Sequence, residues 1–158
     1  YRSHDSAIEE LKWVQSLGYK EVMFNDATLT GDIEWAKELF RKMIDNKIDL
    51  TWNCTTRANR LNPEIIKLMK DAGCVFINYG IESMDQKVLN NMKKGLRPEM
   101  IVRGIEDTLK VGISPGLNFI FGNKGDNKAT IKKAVDFLLK YDDFAQKRTI
   151  RPKKKLSI

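Results

Sequence analysis

The chain has 158 residues, 42 % of them hydrophobic, enough for one core of ordinary domain size and too few for two. No run of about eighteen apolar residues occurs, and the opening YRSHDSAIEE has no basic stretch leading into an apolar one, so the sequence offers neither a membrane span nor a signal peptide and points to a cytoplasmic protein. The formal charge of +7 suits an anionic ligand, an acidic partner or nucleic acid, but Lys147, Arg148, Arg151, Lys153, Lys154 and Lys155 concentrate it at the C-terminal end without interleaved aromatics, so residues 151–158 read as a solvated basic tail and nucleic acid is not the favoured partner.

In chain order, Ala7, Ile8, Leu11, Val14 and Leu17 recur three or four apart, which predicts an amphipathic helix that Gly18 can end. EVMF at 21–24 follows as a short apolar run, expected of a strand buried on both faces of a parallel sheet. The cycle repeats with a helix at 32–46, the strand DLTWNC at 49–54, a helix at 63–71 and the strand CVFINY at 74–79. Asn62 followed by Pro63 is a strong helix start, because proline's missing donor would have no partner there. Helices at 85–92 and 98–110, the strand LNFIF at 117–121, a helix at 129–140 and a fifth strand candidate, FAQKRTI at 144–150, complete the pattern. Regular alternation of helix and buried strand predicts βα units with a parallel sheet, either an open doubly wound sheet or part of a β/α barrel. Cys54 and Cys74, twenty residues apart in a chain with one His, fit no zinc or disulfide framework and read as buried small hydrophobes.

Parallel architectures bind ligands at the carboxyl ends of their strands. The residues there are Asn25, Asp26, Ala27 and Thr28 after the first strand, Thr55, Thr56 and Arg57 after the second, Gly80, Glu82 and Ser83 after the third, and Asn118, Gly122 and Asn123 around the fourth. Hydroxyls, amides and carboxylates gathered at one sheet edge suggest a polar small molecule with several hydrogen-bonding groups. Singly, each could instead cap the helix that follows, and Asp32, Asn62, Asp85 and Asn127 read as simple caps.

The segment GIES after a strand, twelve residues before a lysine in NNMKKG, preceded by WNCTTR and LMKDAGC and followed by GLNFIFGNKGDN, resembles the radical S-adenosylmethionine enzymes, especially their cobalamin-binding and methylthiotransferase-like branches. The resemblance runs over roughly residues 3–150 and implies an incomplete, TIM-like partial β/α barrel holding S-adenosylmethionine against a [4Fe-4S] cluster, with cobalamin as a further cofactor. By the same resemblance, Asn25, Asp26, Ala27 and Thr28 match the segment whose backbone receives the methionine amino group. Thr55 stands where relatives place an acid near the cofactor, Glu82 matches the polar residue after strand four that faces it, and Lys94 matches the base that pairs with its carboxylate. Asn118 falls where a polar side chain approaches the ribose, and Gly122 opens the loop that accommodates the adenine. The chemistry agrees, since the ammonium, carboxylate and hydroxyls of that cofactor need acceptors, a cation and donors in separate places.

The pattern departs from the family at two points. No CxxxCxxC motif, the cluster's usual ligand set, is present, so the chain is expected to be a fragment whose first strand and cluster loop lie before Tyr1 and to be inactive alone. Where relatives commonly read GLPGET this chain has GNKGDN, which predicts a looser loop. The expected activity of the intact enzyme is reductive cleavage of S-adenosylmethionine to a 5′-deoxyadenosyl radical, or methyl transfer, acting on a small-molecule substrate. Two alternatives stay open: a β/α hydrolase or isomerase with Asp26 and Glu82 as acid and base, and an RNA-binding module using the basic tail.

Overall fold

A computed structural model of the protein describes residues 2–141. Helix α1 (His4–Ser16) is followed by β1 (Glu21–Phe24), α2 (Ile33–Asp45), β2 (Thr51–Thr56), a single 3-10 turn (Ala58–Arg60), α3 (Pro63–Asp71) and β3 (Cys74–Glu82). Two helices, α4 (Gln86–Asn91) and α5 (Pro98–Lys110), lead to β4 (Ser114–Phe119) and α6 (Lys128–Leu139). The four strands pair in parallel in the order β1-β2-β3-β4. Sequential order means that every crossover, being right-handed, lays its helix on the same side of the sheet. Helix α1 packs on α2, α2 on α3 and α3 on α5, and no strand reversal creates the second helical layer of a doubly wound fold. The described sheet is an open arc of barrel type. The fifth strand candidate at 144–150 and the basic tail lie outside the described residues.

The core lies between this arc and its helices. Trp52 is fully buried, stacked on Phe40 at 5.2 Å and edge-on to Phe24 at 5.2 Å, with its indole N–H donating to the Ala72 carbonyl at 2.7 Å. Thr108 donates its proton to the Gly104 carbonyl at 2.7 Å, so the buried Tyr79 hydroxyl donates to Thr108 Oγ1 at 2.6 Å. Burial pushes the Tyr79 phenol up. Cys54 and Cys74 are free and buried, and the Cys74 thiol beside it, together with burial, pushes the Cys54 thiol up.

Two expectations about the strands need correction. EVMF is a strand over the predicted residues, but Glu21 is exposed and Met23 is 61 % exposed, because β1 is the end strand of the described sheet and only its Val22 and Phe24 side faces the helices. Strand β4 begins at Ser114, three residues before the predicted start, through Pro115 and Gly116. Proline lacks a ladder donor and is tolerated here at the end of the described sheet, opposite Ile77. Strand β2 likewise runs on to Thr56 and β3 to Glu82.

All four predicted caps are caps. Asp32, Asn62, Asp85 and Asn127 accept from backbone N–H groups at the starts of α2, α3, α4 and α6, and Asn127 with Thr130 completes a capping box. Asp85 also takes the Lys133 ammonium at 2.6 Å, tying α6 to the start of α4. That bond, aided by the Val88 and Lys87 N–H groups, holds the Asp85 carboxyl below its ordinary value of 3.8. A carboxyl lowered on folding stabilises the fold above its ordinary value, and this contribution disappears as pH falls through the lowered one. Asp85→Asn keeps a cap and loses the charge, so it should melt below the parent at neutral pH, and the gap should close on acidification; thermal unfolding across a pH series checks this.

Candidate cofactor site

Alternation along the strands divides their side chains into two sets. Trp52, Cys54 and Thr56 of β2 and Ile77, Tyr79 and Ile81 of β3 are buried on the helical side. Glu21 and Met23 of β1, Asn53 and Thr55 of β2, Phe76, Asn78 and Gly80 of β3, and Gly116 and Asn118 of β4 occupy the opposite, concave face. Register aligns Thr55 with Asn78 and Gly116, and Gly80 with Asn118. Thr55 and Asn118 are therefore brought to one face, as predicted.

The rows depend on two close approaches. A Cβ on Gly116 would meet the Phe76 ring and lie 2.8 Å from Asn78 Oδ1, so these side chains lie over Gly116 where any larger residue would displace them. A Cβ on Gly80 would lie 2.8 Å from Glu82 Oε1 and 3.5 Å from Lys94 Nζ.

Glu82 ends β3 in an uncommon conformation. Its φ is +66°, Ser83 N–H donates back to the Ile81 carbonyl at 2.8 Å, and the pairing with β4 shifts between Gly80 and Glu82. This is a γ-turn of the positive-φ kind, which is rare and strained. Its carboxylate is paired with Lys94, Oε1 to Nζ 2.7 Å, the two side chains being 10 % and 25 % exposed. The two residues predicted to hold opposite groups of a ligand thus hold each other. Among the described residues, Arg57 Nε and Ser114 Oγ are the buried side-chain polar atoms without a partner, and Glu82 Oε2 has no hydrogen-bond partner among them.

Lys94 itself is fixed. Lys93 has φ +53°, Lys94 N–H donates to the Leu89 carbonyl at 3.1 Å and Lys93 N–H to that of Asn90 at 3.0 Å, a Schellman ending of α4. The Arg57 guanidinium donates to the Lys94 carbonyl, Asn59 to that of Gly95 at 3.3 Å and Gln86 to that of Leu96 at 3.1 Å.

Asn25 and Asp26 lie at the other end of the sheet. They line a cleft of about 450 Å³ around the free edge of β1, with Leu11, Val14, Phe24 and Trp35 among its walls. Thr28 donates to its neighbour's carbonyl at Ala27, and Leu29 N–H donates to the Thr55 carbonyl at 3.2 Å, so the 25–28 segment is stitched to the end of β2. After β4, Gly122 has φ +89°, and Ile120 and Phe121 are 49 % and 53 % exposed beside it. The loop is better tied than predicted: Asn123 donates to the Ile120 carbonyl at 2.7 Å, its N–H donates to Asp126 at 2.9 Å, and Asn91 donates to the Lys124 carbonyl at 2.6 Å. Asn53, Asn78 and Gly116 lie within strands, so strand-end position does not single them out, whereas period-two alternation does.

The Radical SAM superfamily profile matches residues 1–138. The chain belongs to the radical SAM superfamily. Its members use S-adenosylmethionine and a [4Fe-4S] cluster. An uncharacterized methyltransferase of Pyrococcus horikoshii is 29 % identical over 150 residues, covering 92 % of this chain and 33 % of that protein. Bacteriochlorophyllide d C-12(1)-methyltransferase of Chlorobaculum tepidum is 27 % identical over 144 residues, covering 88 % and 31 %. The chain thus spans about a third of the length of the curated relatives it matches. Among solved structures, the radical SAM methyltransferase TsrM of Kitasatospora setae, with a SAM analogue or with cobalamin and a [4Fe-4S] cluster bound, has the same fold, with a TM-score of 0.83 at 21 % identity over 89 % of this chain and 29 % or 27 % of that one, respectively.

The donor set fits one superfamily cofactor and not the other. Asn25, Asp26, Thr55, Asn78 and Asn118 make no side-chain hydrogen bond among the described residues, leaving donors and acceptors for a polar nucleoside. No group of three metal-ligating side chains exists among the described residues, and both cysteines are buried on the helical side, so nothing there can hold a [4Fe-4S] cluster. If the asparagines are uncommitted, Asn78→Ala and Asn118→Ala should each change stability by no more than about 0.5 kcal/mol, whereas Asn127→Ala should cost about 1 kcal/mol. Denaturant midpoints measure all three, and a large loss at position 78 or 118 would make those residues structural.

Proposed function

We propose that this chain is the S-adenosylmethionine-binding portion of a radical SAM enzyme of the methyltransferase type, acting on a small-molecule substrate in the cytoplasm. One observation carries the reading: the four helix caps are engaged with backbone, while Asn25, Asp26, Thr55, Asn78 and Asn118 cap nothing. In this assignment the 25–28 segment receives the amino acid end of the cofactor, Glu82 and Asn118 receive hydroxyl or ammonium donors, and the purine lies by Gly122 against the exposed Ile120 and Phe121. Bound S-adenosylmethionine supplies either a 5′-deoxyadenosyl radical or a methyl group. The residues of this chain bind and orient it.

Methyltransferases among the relatives favour methyl transfer, and the cobalamin in TsrM makes cobalamin a candidate second cofactor. The cluster ligands come, in this reading, from polypeptide beyond residues 1–158. The free edge of β1, with its mainly apolar cleft, suits the addition of a further parallel strand. The acid–base alternative gains no support: Asp26 and Glu82 follow strands separated by β2, roughly 9–10 Å apart by strand spacing, and Glu82 is paired with Lys94. The RNA reading depends on residues 151–158, outside the described ones.

Two measurements test the proposal. Calorimetric titration should detect S-adenosylmethionine and S-adenosylhomocysteine binding with no response to RNA; a salt-sensitive RNA shift without nucleoside binding would reverse it. Anaerobic reconstitution of residues 1–158 with iron and sulfide should give no [4Fe-4S] absorbance, and a stable cluster on these residues would refute the assignment of its ligands elsewhere.

A further inference from the structure

We propose that the loops following β2, β3 and β4 form a cationic rim that receives a small-molecule substrate with clustered negative charge, of the phosphate or polycarboxylate kind; this names a substrate class for the site and rests on the cofactor reading above. Arg60, Lys87, Lys93, Arg97, Lys124 and Lys128 are exposed, and their charged ends have no ion pair or hydrogen bond among the described residues. Elsewhere cations are mostly matched, Lys37 by Glu34 and Glu64, Lys42 by Asp5, Lys67 by Asp71 and Lys132 by Asp136. The unmatched ones sit on three segments that hydrogen bonds join at the carboxyl edge: Asn59 donates to the Gly95 carbonyl at 3.3 Å and Asn91 to that of Lys124 at 2.6 Å. The acids of these segments do not neutralise them. Glu82 is paired with Lys94 and Asp85 with Lys133, Asp126 accepts from the Asn123 N–H and the Thr130 hydroxyl, and Glu99 makes no ion pair among the described residues.

Folding does not call for these charges. Helices α1, α2 and α3 carry Asp5, Glu34 and Glu64 in their first turns, where an acid complements the positive end of the helix. Beyond the cap Asp85, α4 has no acid in its first turn, and α6 has none; Lys87 and Lys128 stand there against the helix dipole, as does Arg97 at the N-cap of α5. The helix starts thus change sign across the sheet, acidic after β1 and β2 and cationic after β3 and β4. Unmatched like charges repel one another, and a bound polyanion relieves that repulsion. From the end of β2 to the end of β4 is two strand spacings, roughly 10 Å, wider than one phosphate, so several linked anionic groups suit the rim better than one. Single-stranded nucleic acid calls for aromatics among the cations, and Phe121 is the only aromatic residue in segments 57–62, 83–98 and 120–128, which favours a small molecule.

Calorimetric titration of the full chain with pyrophosphate and with citrate, at low ionic strength and with S-adenosylhomocysteine saturating, tests this; the filled cofactor site leaves an anion only positions outside it. Lys87→Gln/Arg97→Gln/Lys124→Gln/Lys128→Gln should weaken whichever anion binds about tenfold or more, while Lys47→Gln/Lys140→Gln/Lys153→Gln/Lys154→Gln, which removes the same charge away from the rim, should stay within about twofold of the parent. An equal loss in both variants makes the attraction one of net charge and overturns the proposal, as does a parent that binds S-adenosylhomocysteine and neither anion. The rim variant should melt no lower than the parent, since it removes charges set against helix dipoles. A lower melting temperature would assign these cations to folding and overturn the proposal. An RNA oligonucleotide held at a salt concentration that releases both anions would make nucleic acid the partner, with the same result. A parent that binds no S-adenosylhomocysteine overturns the cofactor reading, and with it the assignment of the rim to a substrate.

Discussion

Everything at the site depends on the one-sided covering of a parallel sheet. Strands paired in chain order, with right-handed crossovers, can place their helices on only one side, and the contacts of α1 with α2, α2 with α3 and α3 with α5 follow that path. The helical side collects the apolar chains, with Trp52, Ile77, Tyr79 and Ile81 fully buried. The other side receives whatever the alternate positions hold, and here these include Thr55, Asn78 and Asn118. In a closed or doubly covered sheet such residues would need partners within the protein. On the bare concave face they do not, which is why they can remain uncommitted in a stable fold.

Against this background Glu82 is the exception, a concave-end residue that is already engaged and conformationally strained. A non-glycine residue at positive φ costs on the order of 1–3 kcal/mol and persists only where surrounding contacts over-determine it. Those contacts are present: its carbonyl accepts from Ile120 N–H at 3.2 Å, Ser83 N–H closes the turn at 2.8 Å, and Lys94 holds the carboxylate at 2.7 Å. Gly80 completes the arrangement by having no side chain. In the GIES segment the acid is thus the last residue of β3 and is paired with a lysine twelve residues on.

Local signals in the sequence were the most legible. Caps at Asp32, Asn62, Asp85 and Asn127 could be read because a cap requires only its own side chain and the next turn of helix. The burial of EVMF could not, because whether a strand is covered on one face or both is decided by the rest of the fold, and nothing local shows that the Glu21 and Met23 side meets no helix. The start of β4 was hidden by Ser114-Pro115-Gly116, which read as a break although a terminal strand tolerates them. Strand-end polarity draws attention to Thr55, Glu82 and Asn118, which the structure places near the ends of β2, β3 and β4, but the Glu82–Lys94 pair depends on the Schellman ending and on Arg57, a tertiary coincidence of three segments with no local pattern.

The spread of the uncommitted groups also constrains what can lie across them. From the end of β1 to the end of β4 is three strand spacings, roughly 14 Å. A compact ligand could engage Asn25 and Asp26 or Glu82 and Asn118, but not both sets. An elongated one with polar groups at each end and an apolar ring could engage both, laying its ring where Ile120 and Phe121 are exposed. The proposed ligand, an amino acid joined to a nucleoside, meets that requirement, and an amino acid or a simple sugar alone does not.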